Sequence, residues 1–300
     1  MFRPCMIVMD LPAEVSAKRD QLLEVLRGYG SCAVAFSAGV DSTVVAKAAQ
    51  LALHNSAIAV TASSPSLAAG ELEQAKELAA LMGIRHQVIA TAEVEQDAYR
   101  RNGTDRCYHC KTELYSRVEE LTARLDVAVI CNGANVDDLG DYRPGMTAAD
   151  EHQVRSPLIE CGLNKEDVRH LAAAWELPVW DKPATPCLSS RIAYGEEVTP
   201  ERLAMIDAAE QFLRELGLGE LRVRYHHGGL ARIEVPAESI ASCAAKDLAG
   251  RIHAKFKELG FTFVTLDLAG FRSGSMNHGL ERQSSPTLVQ LRIDPVAKGR

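Results

Sequence analysis

The chain of 300 residues is 47% hydrophobic and 24% charged, proportions that exclude a disordered, collagenous or coiled-coil protein. Its net charge of −7 leaves no large basic field to hold a nucleic-acid backbone, and no apolar run is long enough to span a membrane. With eight cysteines and no export signal, we expect a cytoplasmic protein of two domains, in which paired cysteines indicate metal or redox chemistry.

In the first part of the chain, short apolar runs alternate with helical patterns. The predicted strands are Ser31–Phe36, Ile58–Thr61, His86–Ala90 and Val127–Asn132. The predicted helices are Ser42–Leu53, Leu67–Met82 with Gly83 as its C-cap, Lys111–Leu125, and Lys165–Trp175 with Asn164 as its N-cap. Strands that alternate with helices indicate a parallel sheet covered by helices on both faces.

The pattern changes after about Arg191. Two helices are predicted at Pro200–Leu216 and Ser239–Leu259, and three strands at Leu221–His226, Leu230–Val235 and Phe261–Leu268. These elements predict a small α+β unit. We therefore expect an α/β domain over residues 11–192, a C-terminal α+β domain over 193–280, and a mobile tail over 281–300.

The strongest local signal is the segment SAGVDST at residues 37–43, which lies between a predicted strand and a predicted helix. Gly39 allows close approach of the backbone to a phosphate group, and the helix N-terminus presents free amides with a partial positive charge. Hydroxyl groups are offered by Ser37, Ser42 and Thr43. Because Asp41 would repel a phosphate, we expect a Mg²⁺ ion between the two.

Two further polar segments follow predicted strands. Thr61 opens the segment TASSP, and Gly133 and Asn135 lie in the segment NGANVDD at residues 132–138. In open α/β sheets, ligands bind at the carboxyl ends of the strands. We therefore expect Thr61, Gly133 and Asn135 to border the same nucleotide site as residues 37–43.

The cysteines fall into two groups. Cys107 and Cys110 form a C-x-x-C pair, and Cys187 stands alone in the segment PATPCLSSR at residues 183–191. Three thiolates with one open position suit a 4Fe-4S cluster, or a nucleophile with two partners, although a simple buried pair also remains open. Cys32 and Cys131 lie within predicted strands and are expected to be core residues.

Residues 37–43 resemble the PP-loop of the ATP pyrophosphatase superfamily, whose usual form is Ser-Gly-Gly-x-Asp-Ser; here Ala38 takes the place of one glycine. Members of this superfamily cleave ATP between the α and β phosphates, adenylate a carbonyl or carboxylate group, and release pyrophosphate. The resemblance implies a Rossmann-like PP-loop domain that binds an adenine nucleotide.

Three other segments narrow the resemblance. RCYHCK at 106–111, PCLSSR at 186–191 and GFRSGSMN at 270–277 resemble the LarE family, from about Leu11 to Asn277. These enzymes are ATP-dependent sulfur transferases of nickel-pincer nucleotide cofactor synthesis. The resemblance implies that ATP adenylates a carboxylate of pyridinium-3,5-biscarboxylic acid mononucleotide, that Cys187 attacks the acyl-adenylate, and that a thiocarboxylate results. It also suggests a homo-oligomer.

The source of the sulfur has two versions within this family. In the simplest members the attacking cysteine is sacrificed and becomes dehydroalanine. Members with three cysteines resemble enzymes in which a 4Fe-4S cluster carries an extra sulfide. Because this chain has Cys107, Cys110 and Cys187, the second version is favoured, with these thiols as the metal ligands.

Cations are required by both the sulfur chemistry and the substrate phosphate. Lys182 and Arg191 flank Cys187 in the sequence and would favour its thiolate. Arg222 and Arg224 alternate on one predicted strand, so they point to the same face and could cradle the phosphate. An exposed strand face with solvated charges is the alternative interpretation.

Two other activities stay open for a PP-loop protein with these motifs. One is a tRNA thiolase, some of which carry a 4Fe-4S cluster on three cysteines. The net charge of −7 and the lack of a basic extension disfavour a nucleic-acid partner and favour a small-molecule nucleotide substrate. The other is an amide-forming ligase similar to NAD or GMP synthetase, which would not need Cys187.

Overall fold

Residues 11–140, 144–272 and 276 are described in the computed structural model. Four strands form a parallel sheet in the order β3-β2-β1-β4. They are β1 (Cys32–Ala35), β2 (Ala57–Ser63), β3 (Arg85–Ala90) and β4 (Val129–Cys131). The four predicted strands and the parallel sheet are therefore confirmed. The loops that follow β1, β2 and β4 all leave the same edge of this sheet.

Helices cover both faces of the parallel sheet, as predicted. They are α1 (Ala13–Tyr29), α2 (Val40–Leu53), α3 (Glu71–Met82), α4 (Asp97–Arg100), α5 (Arg106–Leu125), α6 (Pro144–Glu151), α7 (Pro157–Glu160) and α8 (Lys165–Ala174). Successive residues of β1 point to opposite faces: Val34 packs with α1, α2, α3 and α8, whereas Ala33 packs with α5 and α6. Helix α1 was not predicted from the sequence.

Two helix starts differ from the sequence prediction. Helix α3 begins at Glu71 rather than at Leu67, because Gly70 adopts a left-handed conformation with φ of 82°. Helix α5 begins at Arg106, five residues before the predicted start, so Cys107 and Cys110 lie in its first turns. Since they are three residues apart, the two thiols lie on one face of this helix.

The C-terminal part forms a second, three-stranded sheet. Its helices and strands are α9 (Pro200–Glu215), β5 (Arg222–His226), β6 (Leu230–Glu234), α10 (Ile240–Ala244), α11 (Lys246–Glu258) and β7 (Phe263–Leu266). Strand β6 pairs antiparallel with β5 and parallel with β7. The single helix predicted at Ser239–Leu259 is wrong, because Ala245 has an extended backbone, with ψ of 137°, that separates α10 from α11.

One hydrophobic cluster joins the two parts of the chain. Leu188 and Ile192 pack with Tyr99 and with core residues of the C-terminal unit such as Leu203. The division at residues 192/193 stays a prediction, and the predicted tail at 281–300 lies outside the described residues. Within the described ranges, no helix is both long and apolar enough to cross a membrane.

Candidate active site

The loop between β1 and α2 is braced by its own hydroxyl groups. The Ser42 hydroxyl oxygen accepts a hydrogen bond from the Ser37 amide at 3.2 Å and lies 3.1 Å from the Ser37 hydroxyl. The Thr43 hydroxyl donates to the Gly39 carbonyl at 2.7 Å. Ala38 has a left-handed backbone with φ of 57°, a conformation that favours glycine and that explains the glycine in the usual form of this loop. We call residues 37–43 the phosphate loop.

The segment after β4 contacts the phosphate loop directly. The Asn135 side-chain amide donates to an Asp41 carboxylate oxygen at 2.8 Å. A Cβ atom at Gly133 would lie 2.7 Å from the Ser42 backbone nitrogen, so only glycine allows this approach. Burial and the nearby Asp138 carboxylate raise the pKa of Asp41 above its ordinary value, although the bond from Asn135 opposes this. A divalent cation would relieve the repulsion between the two carboxylates.

We expect Gly133→Ala to displace the phosphate loop, because its added methyl group would collide with the backbone at Ser42. The free energy of unfolding should fall by about 1–3 kcal/mol, and ATP should bind more weakly. Chemical denaturation and calorimetric titration measure the two effects. Gly140→Ala is the control, because no atom lies within 4 Å of the Cβ it would add. Equal behaviour of the two variants would contradict the close approach.

Thr61 is buried, and its hydroxyl group is bonded within the protein. It is 2% exposed, and its hydroxyl donates to the Phe36 carbonyl at 2.8 Å. The same hydroxyl lies 2.8 Å from Nε2 of His86, so its oxygen accepts a hydrogen bond from the N–H of that ring. Thr61 therefore fixes the end of β1, from which the phosphate loop starts. Its predicted role in binding the nucleotide stays a prediction.

The segment that carries Cys187 is hydrogen-bonded to the loop after β2 and to residues of α4 and α5. The Leu188 amide donates to the carbonyl of Ser66, in the loop after β2, at 2.9 Å. The buried Arg106 guanidinium donates to the Ser189 carbonyl at 2.7 Å, and the Tyr99 hydroxyl lies 2.6 Å from the Ser189 hydroxyl. These bonds hold Cys187 near the start of α5.

Arg191 links this segment to a buried carboxylate of α9. It is completely buried, and Nε donates to a Glu210 carboxylate oxygen at 3.1 Å. Nη1 donates to the Cys187 carbonyl at 3.0 Å and also to the Pro186 carbonyl. The guanidinium therefore binds the backbone of the cysteine segment and a buried carboxylate. It is placed to position Cys187, whereas its predicted contact with a ligand stays untested.

The three thiols differ in exposure. Cys107 is exposed, and Cys110 and Cys187 are half-buried. Burial raises the pKa of Cys110 to about 12. Among the described residues, no three His, Cys, Asp or Glu side chains come together as a ready metal site, so the predicted cluster ligation stays a prediction.

Two cations other than those expected share the electrostatic environment of Cys187. Burial opposes ionisation of Arg106, yet the Cys187 and Cys107 thiols raise its pKa. Burial likewise opposes ionisation of Lys111, and Tyr115 and the three thiols raise its pKa. Positive charge near sulfur favours the thiolate. Arg106 and Lys111, on α5, are therefore the cations that interact with the thiols.

Arg222 and Arg224 lie on β5, and neither is solvated as the alternative interpretation required. Arg224 is 6% exposed and donates to a Glu234 carboxylate oxygen at 2.8 Å. Arg222 donates to the Ala184 carbonyl at 3.3 Å, and its guanidinium carbon lies 5.1 Å from the centre of the Phe271 ring. Burial and the neighbouring Arg191 charge lower the pKa of Arg222. The arginines thus form a buried positive cluster beside the cysteine segment.

Sequence reasoning missed several buried residues that assemble this site. Glu93 accepts hydrogen bonds from Ser64 at 2.5 Å and Ser66 at 3.0 Å, and no local motif indicates it. Glu210 on α9 and Glu234 on β6 are each fully buried. Arg191 and Arg224 were a usable signal for Glu210 and Glu234, with which they pair, because buried guanidinium groups require counter-ions.

The parallel sheet and the phosphate loop at the carboxyl end of its central strand define an α/β nucleotide-binding protein of the PP-loop class. The segment that carries Cys187 lies beside that loop. The Cys187 thiol interacts electrostatically with Cys110 of the C-x-x-C pair, and Arg191 binds the Cys187 carbonyl.

Comparisons with known proteins narrow this class, although no family model matches the chain. It is 37% identical over 278 residues to the pyridinium-3,5-bisthiocarboxylic acid mononucleotide synthase of Lactiplantibacillus plantarum, covering 92% of this chain and 100% of that protein. It is 43% identical over 268 residues to an uncharacterized protein of Synechocystis sp., covering 89% and 100%. A stretch of 164 residues is 34% identical to argininosuccinate synthase of Halobacterium salinarum, covering 50% and 40%. The chain belongs to the LarE family of pyridinium-3,5-bisthiocarboxylic acid mononucleotide synthases.

Proposed function

We propose that this protein is an ATP-dependent sulfur transferase. It adenylates a carboxylate of pyridinium-3,5-biscarboxylic acid mononucleotide and converts the carboxylate into a thiocarboxylate. Family membership supports this activity, because the Lactiplantibacillus relative is named for the bisthiocarboxylic acid product. A small-molecule nucleotide substrate is part of this proposal, and a cytoplasmic homo-oligomer remains the expectation from the sequence.

The observation that carries the proposal is the bonding of the cysteine segment to the edge of the nucleotide sheet. Leu188 donates to the loop after β2, and Lys182 donates to the Ala38 carbonyl in the phosphate loop at 3.4 Å. The phosphate loop and the segment that carries Cys187 therefore lie next to each other. Activation of a carboxylate and attack by sulfur require this proximity.

In the first step, a carboxylate oxygen of the substrate attacks the α-phosphorus of ATP. The bond from this phosphorus to the bridging oxygen breaks, and pyrophosphate leaves. The free amides at the start of α2 would receive the phosphate charge. Asp41, with Asp138 close to it, would hold a Mg²⁺ ion, which when bound neutralises the charge of the departing pyrophosphate.

In the second step, the Cys187 thiolate attacks the acyl carbon, and AMP leaves with the electrons of the carbon–oxygen bond. The product is a thioester on Cys187. In the sacrificial version, a base removes the α-proton of residue 187 and the bond between Cβ and sulfur breaks. The thiocarboxylate is released, and residue 187 becomes dehydroalanine.

The residues also fit a 4Fe-4S cluster by the chemistry of their donors. Lys111 interacts electrostatically with Cys107, Cys110 and Cys187, and Arg106 interacts with Cys107 and Cys187. These three thiolates would hold the cluster, which when bound supplies a sulfide in place of the Cys187 sulfur. In this version, Arg106 and Arg191 keep their roles, because they hold the backbone of residues 186–189 in either case.

The experiment that tests the proposal combines the purified protein with ATP, Mg²⁺ and the biscarboxylic acid mononucleotide under anaerobic conditions. We expect AMP, pyrophosphate and a thiocarboxylate, formed only when the acceptor is present. Chromatography of the nucleotides and mass spectrometry of the acceptor detect them. Formation of ADP and phosphate, or an acceptor of unchanged mass, would contradict the proposed activity.

If the cluster version holds, each of the changes Cys107→Ser, Cys110→Ser and Cys187→Ser should lose most of the iron and the visible absorbance. A serine hydroxyl is a much poorer ligand for iron than a thiolate, and three ligands leave little margin. Iron and sulfide analysis of anaerobically purified protein measures this. Cys243→Ser, at a buried cysteine of α10, is the control.

Intact mass after one turnover separates the two sulfur sources. A loss of about 34 Da, one H₂S, would show dehydroalanine at residue 187 and would exclude the cluster version. An unchanged mass after several turnovers would support the cluster. Sulfur transfer by a protein with neither iron nor a mass loss would contradict both versions.

The buried arginines on β5 offer a site for the phosphate of the mononucleotide. Of the two, Arg222 is the better candidate, because its charge is less well compensated. Its guanidinium nitrogen lies 3.9 Å from a Glu220 carboxylate oxygen, whereas that of Arg224 lies 2.8 Å from a Glu234 oxygen. Changing both arginines would leave Glu234 buried without that guanidinium and cost about 3–5 kcal/mol of stability. A change at Arg222 alone avoids this cost.

We expect Arg222→Gln to weaken binding of the biscarboxylic acid mononucleotide about 10- to 100-fold, because one charge-assisted contact to phosphate is lost. ATP binding should stay unchanged, because Arg222 contacts the cysteine segment and not the phosphate loop. Calorimetric titrations with each ligand measure the two affinities. Arg251→Gln, at an exposed position on α11, is the control. Equal loss of both affinities would show that Arg222 has a structural role.

A further inference from the structure

Lys182 lies between the phosphate loop and α3. Its ammonium nitrogen donates to the side-chain carbonyl oxygen of Gln74 at 2.5 Å and to the backbone carbonyl oxygen of Ala38 at 3.4 Å. Ala38 is the left-handed residue of the phosphate loop, two residues before α2 begins. The ammonium is therefore directed towards the phosphate loop, and not towards the Cys187 thiol as the sequence order suggested.

The charge of Lys182 is poorly compensated where it lies. The side chain is half-buried, and no ion pair to Lys182 is present in the described part of the chain; both hydrogen bonds go to neutral oxygens. Burial lowers the pKa of Lys182, while the more distant Glu71 carboxylate opposes this. A half-buried ammonium without a close carboxylate is destabilising by itself. A bound anion beside the loop would supply the missing negative charge.

We propose that Lys182 is a polyphosphate-binding residue, whose ammonium group contacts the β- or γ-phosphate of ATP and stabilises the pyrophosphate that leaves. This inference rests on the proposed adenylation. Three features of the position support it: contact with the loop, partial burial and neutral hydrogen-bond partners. The ammonium is a compact point charge on a flexible stem, so it can turn from Gln74 to a phosphate oxygen without movement of the backbone.

The location of Lys182 in the chain gives this contact a second consequence. Lys182 directly precedes the segment at residues 183–191, which carries Cys187 and in which the Leu188 amide is bonded to the loop after β2. A phosphate group bound by Lys182 would tie this segment more firmly to the phosphate loop. Binding of ATP would therefore help to hold the sulfur segment close to the carboxylate that is being activated.

The test compares ATP, pyrophosphate and AMP as ligands of the wild type, Lys182→Met and Lys182→Gln, by calorimetric titration with Mg²⁺. We expect both variants to bind ATP and pyrophosphate about tenfold or more weakly, and AMP within about twofold of the wild type. Lys182→Gln retains donors for Gln74 and Ala38, so it isolates the lost charge. Lys182→Arg should restore most of the ATP affinity, and the ATP affinity of Lys182→Gln should fall less steeply with salt.

Lys76→Met is the matched control, because Lys76 lies on the same helix as Gln74 and its partner is the exposed Glu73, at 3.4 Å. Equal weakening of AMP and ATP would overturn the inference, because a purely structural role predicts it. Unchanged ATP affinity in Lys182→Gln would also overturn it and would leave the proposed function intact. A wild type that binds no ATP would overturn the proposed function and this inference together.

Discussion

Cys187→Ala is expected to abolish thiocarboxylate formation, with a loss on the order of 10³-fold or more, because the attacking sulfur or its metal ligand is removed. Cleavage of ATP should persist. The Cys187 side chain is not part of the phosphate loop, and Arg191 and Arg106 bind the backbone carbonyl groups of Cys187 and Ser189. Exchange of labelled pyrophosphate into ATP measures adenylation, and mass spectrometry of the acceptor measures sulfur transfer.

Cys161→Ala is the matched control, since Cys161 is a buried cysteine of the core beside α7. It should retain both activities. Loss of pyrophosphate exchange in Cys187→Ala would mean that the thiol also supports the nucleotide site. Full thiocarboxylate formation by this variant would exclude Cys187 as the sulfur-bearing residue and would reopen an amide-forming or related chemistry.

Asp41→Asn is expected to reduce the release of pyrophosphate on the order of 10²-fold or more, because the charge that would hold Mg²⁺ is lost. The asparagine keeps the size of the side chain and an oxygen that can accept the hydrogen bond from Asn135. The loop should therefore keep its shape. Rates of AMP and pyrophosphate formation over a range of Mg²⁺ concentrations measure the effect.

Asp126→Asn provides the control for this change. Asp126 is an exposed residue at the C-cap of α5, with φ of 52°, a conformation that asparagine also tolerates. It precedes β4, whereas the phosphate loop faces the opposite end of the sheet. Unchanged pyrophosphate release by Asp41→Asn would show that metal binding does not depend on this carboxylate.

Much of the part of the chain that holds the parallel sheet was predictable because its signals are local. Apolar runs between helical patterns located all four strands, and the segment at residues 37–43 marked the phosphate loop. The N-cap at Asn164, whose side chain accepts a hydrogen bond from the Asp167 amide, was also predictable from neighbouring residues. Helix bounds were predicted less accurately. At Ala245 the extended backbone between α10 and α11 was not indicated by the sequence pattern.

The candidate active site was only partly predictable. The sequence indicated that Gly133 and Asn135 belong with Asp41, because loops after parallel strands meet at one edge. It gave no sign that Lys182 faces the phosphate loop or that Arg106 faces the cysteine segment. Both contacts join residues far apart in the chain, so no periodicity or spacing encodes them.

By itself, the sequence determined the class of the protein: the strand order along the chain, the phosphate loop, the three cysteines of interest and the family they indicate. Tertiary structure decided which charges are buried and with what partners. Arg191 is completely buried against Glu210, and Arg224 against Glu234, although strand and helix patterns allowed all four side chains to be solvated. The physical reason is that a buried ion pair depends on two chain segments meeting in space, whereas a strand, a helix cap or a phosphate loop depends on residues that are neighbours in sequence.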